Sequence, residues 1–457
     1  MSKKSKKTNN NIPTEMHQFF SGVGKTLLVK GNPGSGKTIF SLALLDEVCE
    51  NKNGIYFSTR IELDHLYDQF PWIKDVFLDH NLIDVTELDP TNGLSFLKNL
   101  YEKSIDVDLD NPMVVIDSWE AIVLNLNDEA NKLEHKITAF ARKTATNIVL
   151  VAEYSGVKSL DYLVDGVIEL SDVEIHGEAH LGDVWYGGLE TRNSREICIE
   201  KLRGTHIKQK KYTYSLYRGR FQYFEPFLPE PLEFLHNSIE DPDEFMISSG
   251  NRDFDEILGG GFSKGSFNLF EMEHGIDQRY THLLASIISN VILKDKGMIL
   301  FPVGGKEINN LKKELLEKYP SNDSWIVRNF ESGRKNEIHF DCDLHKTLKK
   351  AFGIRKKKPE KAFVYVIGLD LFEYYMGHEN AIKLIEKTVD HILNDNDILI
   401  GIVKRPQQII DIISHIADKH FVFKDLNGSL CMYGMRPKTG IYNIALSDIE
   451  LIFTPIV

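Results

Sequence analysis

Residues 31 to 38 read Gly31-Asn32-Pro33-Gly34-Ser35-Gly36-Lys37-Thr38, a G-x-x-x-x-G-K-[ST] pattern. Glycines at these places let the backbone turn so that successive N–H groups point at phosphate oxygens, and a helix starting behind them adds the positive end of its dipole. Lys37 is then placed to reach β and γ phosphates, and Thr38 to put its hydroxyl on Mg²⁺. The ligand implied is a nucleoside triphosphate, MgATP. Further on, Met113-Val114-Val115-Ile116-Asp117 is an apolar run ending in a carboxylate. Such a strand is expected to lie directly beside the loop-bearing strand, where Asp117 can hold Mg²⁺ through water.

The loop works only between a strand and a helix, and the flanking residues supply both: 26–30 as strand, 37–49 as helix. Residues 54–58, 113–117, 147–151 and 165–170 read as further strands, and 195–202 with 212–216 as an antiparallel pair. Short runs rich in Val and Ile alternate with longer amphipathic stretches, as a buried parallel sheet covered by helices requires. The second half repeats the order. Residues 266–271 take the place of the first strand, Phe301 stands 244 residues after Phe57, and Asp370 and Asp418 stand 253 after Asp117 and Asp165. The expected fold is therefore α/β, a duplicated lobe of mostly parallel sheet flanked by helices, with the P-loop in its first copy. The expected boundaries are a basic tail at 1–11, an ATP-binding domain at 12–225, a Pro-rich acidic linker at 226–245 and a second domain at 246–457. Where the second lobe should carry its loop, the chain reads Glu271-Met272-Glu273-His274-Gly275-Ile276-Asp277-Gln278-Arg279. One glycine remains, no lysine stands at the required place, and the acidic residues would repel phosphate. This loop is degenerate.

Composition narrows the classes. Of 457 residues, 42% are hydrophobic and 26% charged, as in a water-soluble globular chain, and the longest apolar runs are too short to span a bilayer. The Lys- and Asn-rich start has no apolar segment, so it is expected to be a tail and not a secretory signal. Cys49, Cys198, Cys342 and Cys431 share no metal or redox spacing, which suits reduced thiols in a cytoplasmic protein. A net charge of −13 disfavours general nucleic-acid binding.

These residues resemble those of archaeal KaiC/RadA-type ATPases of the RecA fold, and most of all the gas-vesicle regulator GvpD group. The resemblance spans nearly everything after residue 11 and implies that the two tandem lobes are RecA-like P-loop lobes. In the first lobe it rests on the loop, on Gly54-Ile55-Tyr56-Phe57-Ser58-Thr59-Arg60 and on Lys201-Leu202-Arg203-Gly204-Thr205. In the second it rests on Ser249-Gly250, on residues 254–262 and on Lys264-Gly265-Ser266. In KaiC-like rings the counterpart of the Lys201–Thr205 run reaches the nucleotide of the neighbouring subunit. The resemblance thus implies Lys201 and Arg203 as phosphate contacts across a homo-oligomer interface; a solvated basic hairpin is the other reading. His206 departs from the family by following Thr205 directly.

KaiC-type ATPases also carry adjacent glutamates after the second strand, one of which activates water. This chain has Arg60 there, with Glu62 slightly late. Arg60 cannot take a proton from water, so it is expected to contact phosphate or clamp a closed state. Glu153, after the fourth strand, is the fallback carboxylate. Binding of ATP with slow or conditional hydrolysis is the expectation. The basic stretch 346–361 is read as a solvated loop between strands, with docking of a partner as the other reading.

The function implied by the resemblance is a regulatory switch, in which nucleotide state controls a protein partner such as a transcription activator. A RadA-like, DNA-stimulated recombination or repair ATPase is the alternative, and the acidic balance disfavours it. A small-molecule kinase would need an arginine-rich lid over the phosphates, and the sequence offers none.

Overall fold

Apolar runs form the strands, and their burial shows why. In the computed structural model every residue of Asn147–Ala152 is buried, which requires cover on both faces of a sheet. The structure describes residues 11–49, 54–77, 82–84, 112–123, 130–153, 160–176, 191–228, 238–276, 279–301, 324–328, 337–340, 343–405, 407–447 and 450–457. It divides into two units: Met1–Ile175 with Asn193–Glu225 and Ile456–Val457, and His176–Arg192 with Pro226–Pro455.

The first unit is built on β1 (Thr26–Gly31), β2 (Gly54–Ser58), β3 (Leu82–Asp84), β4 (Met113–Asp117), β5 (Asn147–Ala152), β6 (Gly166–His176), β7 (Thr191–Leu202), β8 (Lys211–Ser215) and β9 (Gln222–Tyr223). Their order in space is β3-β2-β4-β5-β1-β6-β7-β8-β9. β1 pairs in parallel with β5, Leu27 opposite Val149, and with β6, Leu27 opposite Gly166. β7, β8 and β9 extend the sheet through antiparallel pairs. Successive residues of β1 point to opposite faces: Leu27 and Val29 join one core cluster, Leu28 the other. The first cluster receives α1 (Thr14–Phe20) and α2 (Lys37–Val48). α2 buries Ile39 through Leu45 without a break, as a helix enclosed on all sides must. The second receives α3 (Trp119–Val123) and α4 (Ala130–Thr144), the latter through Leu133, Ile137 and Ala141 at helical spacing.

The second unit has β10 (Met246–Ile247), β11 (Phe262–Ser263), β12 (Ser266–Met272), β13 (Gly297–Leu300), β14 (Ser324–Arg328), β15 (Glu337–His339), β16 (Phe363–Gly368), β17 (Ile398–Lys404), β18 (Lys419–Leu426), β19 (Ser429–Arg436), β20 (Ile441–Ser447) and β21 (Glu450–Pro455). The main sheet runs β15-β14-β13-β16-β17-β12-β18-β19-β20-β21. β12 sits between β17 and β18 as β1 sits between β5 and β6. A shared staple fixes the equivalence. The Asp165 N–H donates to the Thr26 carbonyl while its carboxylate accepts the Thr26 N–H, at 2.9 and 3.2 Å. Asp418 does the same with Phe267, at 2.9 and 2.8 Å. The fold is thus two tandem, mostly parallel RecA-like lobes.

Two expectations need correction. β4 does not lie beside β1, because β5 intervenes between them. The basic stretch is not a loop: it forms the helix Leu344–Lys356, capped by the Asp343 carboxylate on the Lys346 N–H and burying Leu344, Thr347, Leu348, Ala351 and Arg355. Its lysines hid an apolar face at i, i+3, i+4, i+7. The tail at 1–10, linker residues 229–237 and Cys342 lie outside the described residues.

Candidate nucleotide site

β1 ends at Gly31 and α2 begins at Lys37, so the glycine loop caps the strand end nearest the centre of the sheet. Gly31 has no room for a side chain: a Cβ would stand 2.4 Å from the Leu170 carbonyl oxygen and 2.6 Å from Ser35 Oγ. Gly34 and Gly36 take φ of 82° and 84°, left-handed values that favour glycine. Gly36 is also the N-cap of α2 and has no side chain to satisfy the first helical N–H groups; those donors are what an anion would meet. The Tyr214 hydroxyl donates to the Ser35 carbonyl at 2.6 Å, and the Arg195 guanidinium to the Gly34 carbonyl at 3.1 Å. Asn32, Pro33 and Gly34 are exposed.

The Lys37 ammonium folds back on the loop, donating to the Gly31 and Asn32 carbonyls at 2.8 Å each. Burial pushes its pKa down, against the pull of Glu153, Asp117 and Glu120. Thr38 donates its hydroxyl to Asp117 Oδ2 at 2.6 Å, across the end of β5. The same oxygen accepts the Tyr56 hydroxyl at 2.6 Å. Burial, then the carboxylate beside it, drives the Tyr56 pKa far up, so the phenol stays a donor. A hydroxyl and a carboxylate converging beside phosphate-facing N–H groups form a hard oxygen set that fits Mg²⁺. Among the described residues no group of three His, Cys, Asp or Glu could hold a metal alone, so the ion's remaining ligands would be phosphate and water. When bound, Mg²⁺ supplies charge neutralisation on the phosphates.

Arg60 follows β2 and pairs with Glu153, which follows β5, at 3.1 Å. Glu120, unnoticed in the sequence, lies in the first turn of α3, three residues beyond Asp117; it is 7% exposed and its carboxylate accepts the Glu153 N–H. Burial raises its pKa. Only its position just past a strand-end carboxylate could have marked it, along with Tyr56 on the neighbouring strand.

Glu62 is not gathered here. It is exposed at the N-cap of the short helix Leu63–Gln69 and is not among the charges acting on Lys37. Arg203 lies at the far end of the strands, its N–H donating to the Asp165 carbonyl beside the start of β1, whereas Lys201 shares Asp161 with Lys30, the residue before Gly31. Lys201 donates to the Asp161 carbonyl, and Arg203 binds the Tyr162 carbonyl and Asp165, the staple partner of the first residue of β1.

Among its described residues the second unit has nothing equivalent. Met272 replaces Gly31, and the helix Thr281–Leu293 starts behind buried Tyr280 and Thr281. Glu271 accepts from both Arg405 and His420, and Glu273 pairs with Lys424 at 2.8 Å. Residues 277 and 278 lie outside the described residues. Register also corrects the expected counterpart of Asp117. Asp117 stands opposite Val151, which stands opposite Val29; in the second unit Gly368 stands opposite Ile402 and Ile402 opposite Phe270. With Thr26 equivalent to Phe267, Gly368 and not Asp370 occupies the place of Asp117. The same register puts Glu271 in place of Lys30, and Lys404 in place of Glu153.

A glycine loop between β1 and α2, a threonine on a strand-end carboxylate and this strand order define a P-loop protein with tandem RecA-like lobes. Residues 16–180 match the family described as GvpD gas vesicle protein, P-loop domain. Protein GvpD1 of Halobacterium salinarum is 27% identical over 329 residues, 64% of this chain and 56% of its own length. Protein GvpD2 of the same organism is 24% identical over 488 residues, 96% of this chain and 94% of its own. The circadian clock oscillator protein KaiC of Thermostichus vulcanus is 24% identical over 269 residues, 54% of this chain and 48% of its own. The chain thus spans little more than half of the first relative and nearly all of the second, and it is a KaiC/GvpD-like P-loop protein. None of its described helices is long and apolar enough to cross a membrane.

Proposed function

We propose that the chain is an ATP-binding regulatory protein whose first unit holds MgATP and whose nucleotide state controls a protein partner. The gas-vesicle family that residues 16–180 match suggests gas-vesicle regulation as the setting, with a transcription activator as the partner in this reading. The observation that carries this reading is the convergence of Lys37, Thr38 and Asp117 at one strand end, with no such set in the second unit's described residues. Gly31, Asn32, Pro33, Gly34, Ser35 and Gly36 would cradle the phosphates, Lys37 would move from its two carbonyls onto them, and Thr38 with Asp117 would hold Mg²⁺. Arg60, where related ATPases have a glutamate, is tied to Glu153; this supports slow or conditional hydrolysis. Lys201 and Arg203, held on Asp161, Tyr162 and Asp165, would serve a phosphate in a second copy of the chain.

The test is MgATP affinity and turnover for wild type and Lys37→Ala, with and without single-stranded DNA. Lys37→Ala is expected to weaken binding at least tenfold; equal affinity refutes the site. A second reading, the DNA-stimulated ATPase, is favoured by the exposed His345, Lys346, Lys349, Lys350 and Lys356 on the helix Leu344–Lys356 and Lys357 at its C-cap. Strong stimulation by DNA would establish it over the switch.

A further inference from the structure

We propose that Glu120 is the carboxylate that orients and deprotonates the attacking water in the first unit; this rests on reading residues 31–38 as the MgATP site. Three carboxylates stand near enough in sequence or space to be candidates, and their surroundings separate them. Glu62 is exposed and outside the group of charges around Lys37. Glu153 is engaged by the Arg60 guanidinium. Glu120 is buried, with one carboxylate oxygen fixed by the backbone N–H of Glu153 at the end of β5. Its other oxygen, Oε2, is buried and has no hydrogen-bond partner among the described residues.

A buried carboxylate oxygen left without a partner is costly, and such groups ordinarily meet a water or a ligand. The strand end places that water where it could do chemistry. Asp117, three residues earlier, accepts from Thr38, and Glu120 is one of the charges acting on the Lys37 ammonium. The charged groups facing Glu120 are Arg60 from beyond β2, Glu153 from beyond β5, and Lys37 from the start of α2.

In the step assigned to it, the water oxygen bonds to the γ phosphorus as the bond to the β–γ bridging oxygen breaks. The electron pair of that bond leaves with ADP. The water proton passes to Glu120 Oε2 and from there to solvent, so the products are ADP, phosphate and one proton. Burial raises the Glu120 pKa, which makes the ionised carboxylate a stronger base toward the water proton. Only that form can accept the proton, so hydrolysis is pH-sensitive.

Glu120→Gln tests this, because the amide oxygen can still accept the Glu153 N–H. Binding of MgATP should stay within threefold of wild type, while phosphate release falls about 100-fold or more, the usual worth of a general base. Nucleotide recovered from the variant after incubation should be ATP, where wild type yields ADP. Turnover at the wild-type rate in Glu120→Gln, or no turnover in wild type, overturns the proposal. Loss of binding in Lys37→Ala is scored separately, since its absence refutes the site itself. Should Glu120→Gln lose the cooperative melt of wild type, the wild-type pH profile decides. Turnover that rises with pH and then levels off supports the role, and a flat profile overturns it.

Discussion

Arg60 and Glu153 face each other at 3.1 Å with 43% and 35% of their side chains exposed. A pair so open to water holds the fold by less than about 1 kcal/mol, so Arg60→Ala should leave the melting temperature nearly unchanged. It should raise basal turnover if the guanidinium is what restrains Glu153; an unchanged rate would remove Glu153 from the chemistry. Thr38→Ala should lower ATP affinity in Mg²⁺ but not in chelator, because its hydroxyl, held by Asp117, is assigned to the ion and not to phosphate. Equal losses in both buffers would count against that assignment. At this scale the loop was legible in the sequence, since its glycines, Lys37 and Thr38 form a contiguous pattern. Glu120 and Tyr56 were not, because each looks like an ordinary member of a helix or strand until β2, β4 and β5 bring their ends together.

Between β1 and α2 the chain has no slack. A methyl group at Gly31 would stand 2.4 Å from a backbone oxygen of Leu170 and could not be relieved by a rotamer change. Gly31→Ala should therefore cost about 1–3 kcal/mol through overpacking, seen as a lower denaturation midpoint, and weaken nucleotide binding as the loop is displaced; wild-type stability would show that β6 yields. Element identity was legible for the apolar runs, whose continuous Val and Ile content demands burial on both faces. Spatial order was not. Nothing in residues 113–117 tells that β5 separates them from β1, because strand neighbours are set by long-range packing. A steady offset between the lobes likewise suggested Asp370 as the counterpart of Asp117, whereas the pairing register selects Gly368.

Each lobe carries a charge at the end of its central strand region, but the signs are exchanged. Lys30 pairs with Asp161 in the first, and Glu271 with Arg405 and His420 in the second. Burial would raise the Glu271 pKa, yet the His420 hydrogen bond and the Arg405 charge outweigh it and hold the carboxyl below its usual range. A depressed folded pKa means stability that is present above the unfolded value of about 4.3 and lost as pH falls through the folded one. Glu271→Gln should destabilise the second unit by about 1–3 kcal/mol at neutral pH, since it removes the buried negative charge that Arg405 and His420 share. It should also flatten the acid limb of the unfolding curve; a melt with the wild-type pH dependence would refute the account.

The pairing of Leu27 with both Val149 and Gly166 has a consequence for how the protein is made. β1 leaves the ribosome 122 residues before one neighbour and 139 before the other. At about 5–20 residues per second, this apolar strand waits roughly 6–28 s for a partner. During that interval its backbone donors and acceptors are open to other chains, and the glycine loop behind it has no frame. Nascent chains released before β5 should therefore be captured by chaperones or digested by protease, while those released after β8 should resist both.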